Sequence, residues 1–189
     1  MRRGILGGTF DPPHLAHLMA GEAAYRQLGL DIVTLVPAGE PWQKADREVS
    51  VSKHRWAMTQ ASTEGVDYFE ADAREIERHG WTYTMDTLES FPGDEQLVLI
   101  LGADAAARLM SWHRADDVLE RVSLAVLPRP GTLRTVVEAA VPTEIAWLDT
   151  PEVGISGTLL RERERTGLSI RFLVREPVWH YIQDNHVYV

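Results

Sequence analysis

Apolar residues along the chain fall into short continuous runs separated by stretches with helical spacing. Ile5-Leu6, Asp31 to Val36, Val66 to Ala71, Gln96 to Leu101, Leu124 to Leu127 and Glu144 to Leu148 read as strands; Pro37 closes the second, Pro128 and Pro130 the fifth. Between them, Leu15 to Leu28 carries apolar residues at helical spacing until Gly29. Val51 to Thr63 reads as a helix with Ser52 as its N-cap, and Thr82 to Phe91 as a short one with Thr84 near its N-cap, ended by Pro92-Gly93. Ala105 to Leu109, Asp116 to Arg121, Leu159 to Arg165 and Val178 to Asp184 complete the helices, with Pro177 at the first position of the last. Strands that are apolar throughout, alternating with helices, predict an α/β protein with a parallel, doubly wound sheet covered on both faces. Ligands of such sheets lie beyond the carboxyl ends of the strands. The segments to search are therefore Gly7 to His17, Pro37 to Lys44, Gly102 to Asp104, Pro128 to Gly131 and Asp149 to Arg161.

Length and composition narrow the classes. A chain of 189 residues suits one core better than two, so a single domain over 1–189 is expected. With 44% hydrophobic and 25% charged residues, disordered, collagen-like and repeat classes drop out. The longest purely apolar run, Leu97 to Leu101, is far short of the about 20 residues that span a bilayer. Asp11, Pro12 and Pro13 stand where a signal peptide needs its apolar centre, so a cytoplasmic protein without a membrane partner is expected. The absence of cysteine excludes disulfides and thiolate metal sites and fits a reducing compartment. A net charge of −9 argues against a nucleic-acid partner, because that binding needs a basic face. An anionic small molecule would instead need a local cluster of cations. Oligomeric state is left open, a homo-oligomer included.

Three stretches carry candidate chemistry. Gly7-Gly8 after the first strand allows close approach of backbone to a ligand, and the helix that follows offers N–H groups suited to phosphate; the plainer alternative is a tight turn. The pair fits neither GxGxxG nor GxxxxGK[ST]. His14 and His17 lie three apart and can donate to the same phosphate. Their alternatives are a solvated and a packed helix-start histidine, or a zinc site with the adjacent Asp11 as third ligand, against which stands that nothing else repeats a metal-ligand spacing. Ser156-Gly157-Thr158, with Arg161 one turn on, resembles a second anion site at a helix N-terminus; alternatively a hydroxyl is only the N-cap and Arg161 a solvated charge.

Taken together, "GGTFDPPHLAHL" and "ISGTLLR" resemble the nucleotidyltransferase superfamily, whose signatures are a GxFDPxHxGH loop and an ISSTxxR loop. "PWQK", "WTYTMDTL", "GADAAARLMSW" and "PRPG" narrow the resemblance to the bacterial nicotinate-nucleotide adenylyltransferases, over nearly the whole chain and in order. The resemblance implies a Rossmann-like fold and transfer of AMP from ATP to nicotinate mononucleotide, with Mg²⁺, giving deamido-NAD and pyrophosphate in NAD biosynthesis. It implies ATP contacts from Gly7, Gly8, Thr9, Phe10, His14 and His17, and from Ser156, Thr158 and Arg161 on the triphosphate. His14, His17 and Arg161 would be the catalytic residues. Gly102 and Asp104 would meet the nucleotide ribose and base, and Lys44 and Arg129 nucleotide phosphate. The backbone at Thr84 would read the nicotinate carboxylate and the Trp112 indole would stack on the pyridine ring. Read singly, Trp112 could be a core aromatic, Lys44 and Arg129 solvated charges, and Asp104 an N-cap. No residue is expected to ligate a metal directly.

This sequence departs from the pattern at Ala16 and Gly157, where the family has glycine and serine, and at Arg108, where some relatives have an aromatic. Ala16 suits a helix and Gly157 removes one hydroxyl donor. Competing expectations are another adenylyltransferase of the superfamily, with nicotinamide mononucleotide or pantetheine phosphate as acceptor, and a non-catalytic nucleotide sensor.

Overall fold

The structure is a computed structural model and describes residues 1–39 and 49–188. In chain order it contains β1 (Arg2–Gly8), α1 (Leu15–Leu28), β2 (Ile32–Pro37), α2 (Ser52–Thr63), β3 (Phe69–Ala71), α3 (Arg74–Glu77), α4 (Thr84–Glu89) and β4 (Gln96–Gly102). These are followed by α5 (Ala103–Ala106), a 3-10 turn (Leu109–Ser111), α6 (Ala115–Arg121), β5 (Val122–Leu127), α7 (Arg134–Ala140), β6 (Ile145–Trp147), α8 (Gly157–Arg165) and α9 (Glu176–Asp184). The six strands make one sheet in the order β3-β2-β1-β4-β5-β6, and β1–β4, β4–β5 and β5–β6 pair in parallel. The continuous apolar strands foretell this: Leu97 to Leu101 of β4 are all buried, as are Val33, Leu35 and Val36 of β2. The order doubles back at β1–β4, which is the switch point where such sheets bind ligands.

The chain divides into two compact units. The first comprises Met1–Gly7, Met19–Thr34 and Tyr83–Gly154; the second comprises Gly8–Leu18, Leu35–Thr82 and Ile155–Val189. In the first, a Cβ on Gly4 would stand 2.8 Å from Leu30 and 2.9 Å from Ile100, so only glycine lets those side chains close over β1. Arg3 beside it donates from Nε to Glu95 (2.8 Å) and from Nη1 to Thr34 (2.7 Å). The core of the second unit joins Met58 of α2, Leu160 of α8, Val178 and Ile182 of α9, and Ile170, Val174 and Tyr188. With Leu160 packed there, Arg161, about 100° further round α8, is left to reach the Asp11 carbonyl.

Several boundaries differ from the sequence reading. Val66 lies outside β3, because Gly65 at φ +70° and a turn delay the strand to Phe69. Val51, not Ser52, is the N-cap of α2, and Tyr83 caps α4 from an extended backbone without a side-chain bond. The Ala105 to Leu109 helix is the shorter α5 followed by the 3-10 turn. Helices α3 and α7 escape the apolar pattern: each is short and buries one residue, Glu75 and Val137 respectively.

Candidate active site

In the second unit, β1 ends at a tight corner. Phe10 is buried at φ +49°, a left-handed backbone rare outside glycine, and Asp11-Pro12 is a cis peptide. A Cβ on Gly8 would press on the Phe10 ring at 3.1 Å. Asp11 is the hub of the corner. Its Oδ1 accepts from the Tyr188 hydroxyl (2.8 Å) and its Oδ2 from the Ser50 N–H (3.0 Å). Arg161 Nη1 donates to the Asp11 carbonyl (2.7 Å) and stands 3.7 Å from its carboxylate. Burial, with the Asp11 charge beside it, pushes the Tyr188 hydroxyl far above its ordinary pKa, so it stays a donor.

His14 and His17 come together, by a route the spacing does not show. His14 precedes α1, and the rings stack at 3.7 Å between centroids and 20° between planes, with Phe10 edge-on to His17 at 5.0 Å. The His14 N–H donates to Nδ1 of His17 (3.2 Å), so a neutral His17 carries its proton on Nε2. The start of α1 corrects one expectation: of the N–H groups read as open for phosphate, that of His14 serves His17 and that of Leu15 serves the Leu173 carbonyl (3.0 Å). Donors for an anion at this corner must therefore include side chains. Ala16 is buried inside α1, where a methyl fits.

On α8, Ser156 is the N-cap: its Oγ accepts from the Leu159 N–H at 3.2 Å. Thr158 and Arg161 approach at 3.5 Å. Gly157 has a packing reason, since a Cβ there would stand 2.8 Å from the Asp11 carbonyl and 3.3 Å from Arg161. The serine of the family pattern does not fit this corner as it is built.

Sequence reasoning missed Arg55. Only 2% exposed, it donates from Nε to Ser50 (3.0 Å), from Nη1 to Thr9 (3.1 Å) and Ala38, and from Nη2 to Gly39 (2.8 Å), in each case to the backbone carbonyl. Burial lowers its pKa, against the opposing pull of Asp11, Glu75 and Tyr188. An isolated arginine four residues into a helix has no local signature; its partners come from three separate segments.

In the first unit, Gly7 is exposed and a Cβ there would meet nothing within 4 Å. Gly102 caps α5, and a Cβ on it would stand 2.8 Å from Asp104 and 3.2 Å from Arg129. Asp104 is thus inside α5, not its N-cap, and its carboxylate lies 3.9 Å from Arg129 Nε with 59% of the side chain exposed. Thr84 opens α4 and Trp112 follows the 3-10 turn; their neighbours Tyr83 and His113 meet ring to ring at 4.5 Å, which joins the two segments. Trp112 is half-buried, so it is not a plain core aromatic, and Arg108 is exposed. Lys44 lies outside the described residues.

This sheet, with its switch point at β1–β4, defines a Rossmann-like nucleotide-binding protein. A cytidylyltransferase-like family model matches residues 5–163. A Salinibacter ruber protein named "Probable nicotinate-nucleotide adenylyltransferase" is 39% identical over 191 residues, covering 100% of this chain and 98% of its own. A protein of the same name from Thermoanaerobacter sp. is 38% identical over 199 residues, covering 100% and 94%. In fold, the chain matches the solved Plasmodium falciparum nicotinic acid mononucleotide adenylyltransferase complexed with NaAD, with a TM-score of 0.80 at 17% identity over 99% of this chain and 97% of that one. The chain belongs to the cytidylyltransferase-like family and, within it, to the nicotinate-nucleotide adenylyltransferases.

Proposed function

We propose that this chain transfers AMP from ATP to nicotinate mononucleotide, forming deamido-NAD and pyrophosphate in NAD biosynthesis. The full-length likeness to nicotinate-nucleotide adenylyltransferases carries the reading. The phosphate of the acceptor is already a nucleophile at neutral pH, so the reaction needs positioning and charge stabilisation and no covalent intermediate. The acceptor oxygen bonds to the α-phosphorus of ATP as the bond to the bridging oxygen breaks, and pyrophosphate leaves with that electron pair. His17, with Nε2–H as its donor, stabilises the charge on the non-bridging oxygens, and His14 stacks against it. Arg161 holds the leaving phosphates with Ser156 and Thr158, and the Gly7 to Phe10 backbone lines the same phosphates.

Asp104 and Gly102 take the ribose and base, Lys44 and Arg129 nucleotide phosphate. The Thr84 backbone reads the nicotinate carboxylate and Trp112 stacks on the pyridine. Mg²⁺ arrives as the ATP complex. Mg²⁺ keeps several waters and is commonly held through substrate phosphates, so the triphosphate would carry it here. The partners are these small molecules. The acidic charge speaks against nucleic acid. Among the described residues no helix is long and apolar enough to cross a membrane. The cytoplasm is the compartment of this proposal, which the cysteine-free sequence fits.

The test is pyrophosphate release from Mg-ATP with nicotinate mononucleotide, nicotinamide mononucleotide or phosphopantetheine in turn. Release is expected to be fastest with the first. Equal or greater release with another acceptor defeats the assignment, and no release with any of them points to a sensor.

A further inference from the structure

We propose that Arg55 is the positioning residue of the Gly8 to Phe10 corner, setting the direction in which its backbone donors point; this rests on the ATP-binding reading above. Four of the five guanidinium N–H groups are spent on carbonyls of Thr9, Ala38, Gly39 and Ser50. The Gly8 carbonyl is held in parallel by the Ala38 N–H at 2.8 Å. In a trans peptide the C=O and N–H point opposite ways. Fixing the Gly8 carbonyl towards Ala38 turns the Thr9 N–H away from the end of β2. Fixing the Thr9 carbonyl towards Arg55 turns the Phe10 N–H away from the guanidinium. Two consecutive amides of the corner are thus aimed by one buried side chain and its neighbour.

Nothing smaller would serve. A lysine in this place is a point charge that cannot span four carbonyls, and an apolar residue would leave all four without that donor. Gly39 adds to the constraint, because a Cβ there would stand 2.1 Å from the Glu75 carbonyl, so its backbone and the carbonyl it gives Arg55 have one place to be. The guanidinium remains charged and adds a fixed positive charge beneath the corner, with Asp11 and Glu75 the acids that act on it.

Arg55→Lys and Arg55→Gln test this, each first shown to unfold cooperatively on heating; if the glutamine variant does not fold, the lysine variant carries the test. kcat/KM for ATP is expected to fall about 100-fold in Arg55→Lys, the loss that follows a displacement of about 1 Å at a reacting group. KM for nicotinate mononucleotide should stay within about twofold. A folded variant with unchanged ATP kinetics, or one that loses affinity equally for both substrates, overturns the proposal. Binding of α,β-methylene-ATP by calorimetry separates it from the reading it rests on. If the wild type turns over no substrate, that reading fails, while weaker analogue binding by Arg55→Lys still upholds the positioning role and equal binding refutes it. On the wild type itself, the analogue should slow hydrogen exchange at the Phe10 amide and leave that of Ala38, already bonded, unchanged. No protection at Phe10 would also overturn the proposal.

Discussion

The Asp11–His17 corner of the second unit and the Gly102–Arg129 region of the first are built differently. At the corner the buried Asp11 carboxylate accepts from Tyr188 and Ser50, Arg161 donates to the Asp11 carbonyl, Arg55 donates to four backbone carbonyls, and the His14 and His17 rings stack. In the first unit the carboxylate of the exposed Asp104 stands 3.9 Å from Arg129, long for an ion pair, and Tyr83 meets His113 ring to ring at 4.5 Å. Dense mutual bonding suits groups that must meet developing charge without reorganising, whereas sparse contacts suit groups that adjust to a bound base or ring. Substitution of the corner's histidines should therefore act on kcat, and substitutions in the first unit on KM for the acceptor.

The largest effect is expected at His17. His17→Ala should lower kcat by about 10²–10³-fold with little change in either KM, as seen when one transition-state donor is lost; near-normal turnover in steady-state assays would remove His17 from the mechanism.

Next comes Tyr188→Phe, which takes a donor from a buried carboxylate and should cost about 1.5–3 kcal/mol in urea unfolding. The same variant has a pH signature. In the folded chain Tyr188 keeps its proton far above the ordinary 10.0, while in the unfolded chain it releases it near that value. Its stabilisation is therefore fully present below about pH 10 and declines as pH rises beyond it, by up to about 1.4 kcal/mol per unit. Tyr188→Phe should show a shallower loss of stability above pH 10; identical slopes would contradict the buried Tyr188–Asp11 bond.

Gly157→Ser restores the family residue and should nonetheless weaken the protein by about 1–3 kcal/mol, because its Cβ meets the Asp11 carbonyl, and should raise KM for ATP. A gain in stability together with tighter ATP binding would show that the corner relaxes freely. Smallest is Trp112→Ala. Loss of stacking worth about 0.5–1.5 kcal/mol should raise KM for nicotinate mononucleotide up to about tenfold and leave kcat within about twofold.

What could be read in advance follows from how local each signal is. Leu97 to Leu101 announces the central strand because every side chain in it is buried, and that property is visible in the run itself. The glycine and histidine loop and the Ser156 to Arg161 loop are legible because their residues are consecutive. Arg55 is illegible because its meaning lies in Thr9, Ala38, Gly39 and Ser50, which only the fold assembles. The same holds for the Leu15 N–H, which looks open at a helix start until Leu173, far along the chain, supplies a carbonyl. Helix α7 was hidden by Val136 and Val137, β-branched residues of which only the second is buried.

The central claim is that the corner delivers the α-phosphorus of ATP to the phosphate of nicotinate mononucleotide. ATP labelled at the α-phosphorus should place its label in the dinucleotide product, and ATP labelled at the γ-phosphorus should place its label in pyrophosphate. Label from the γ-position in the acceptor product, or α-label recovered only as free AMP, would contradict the account.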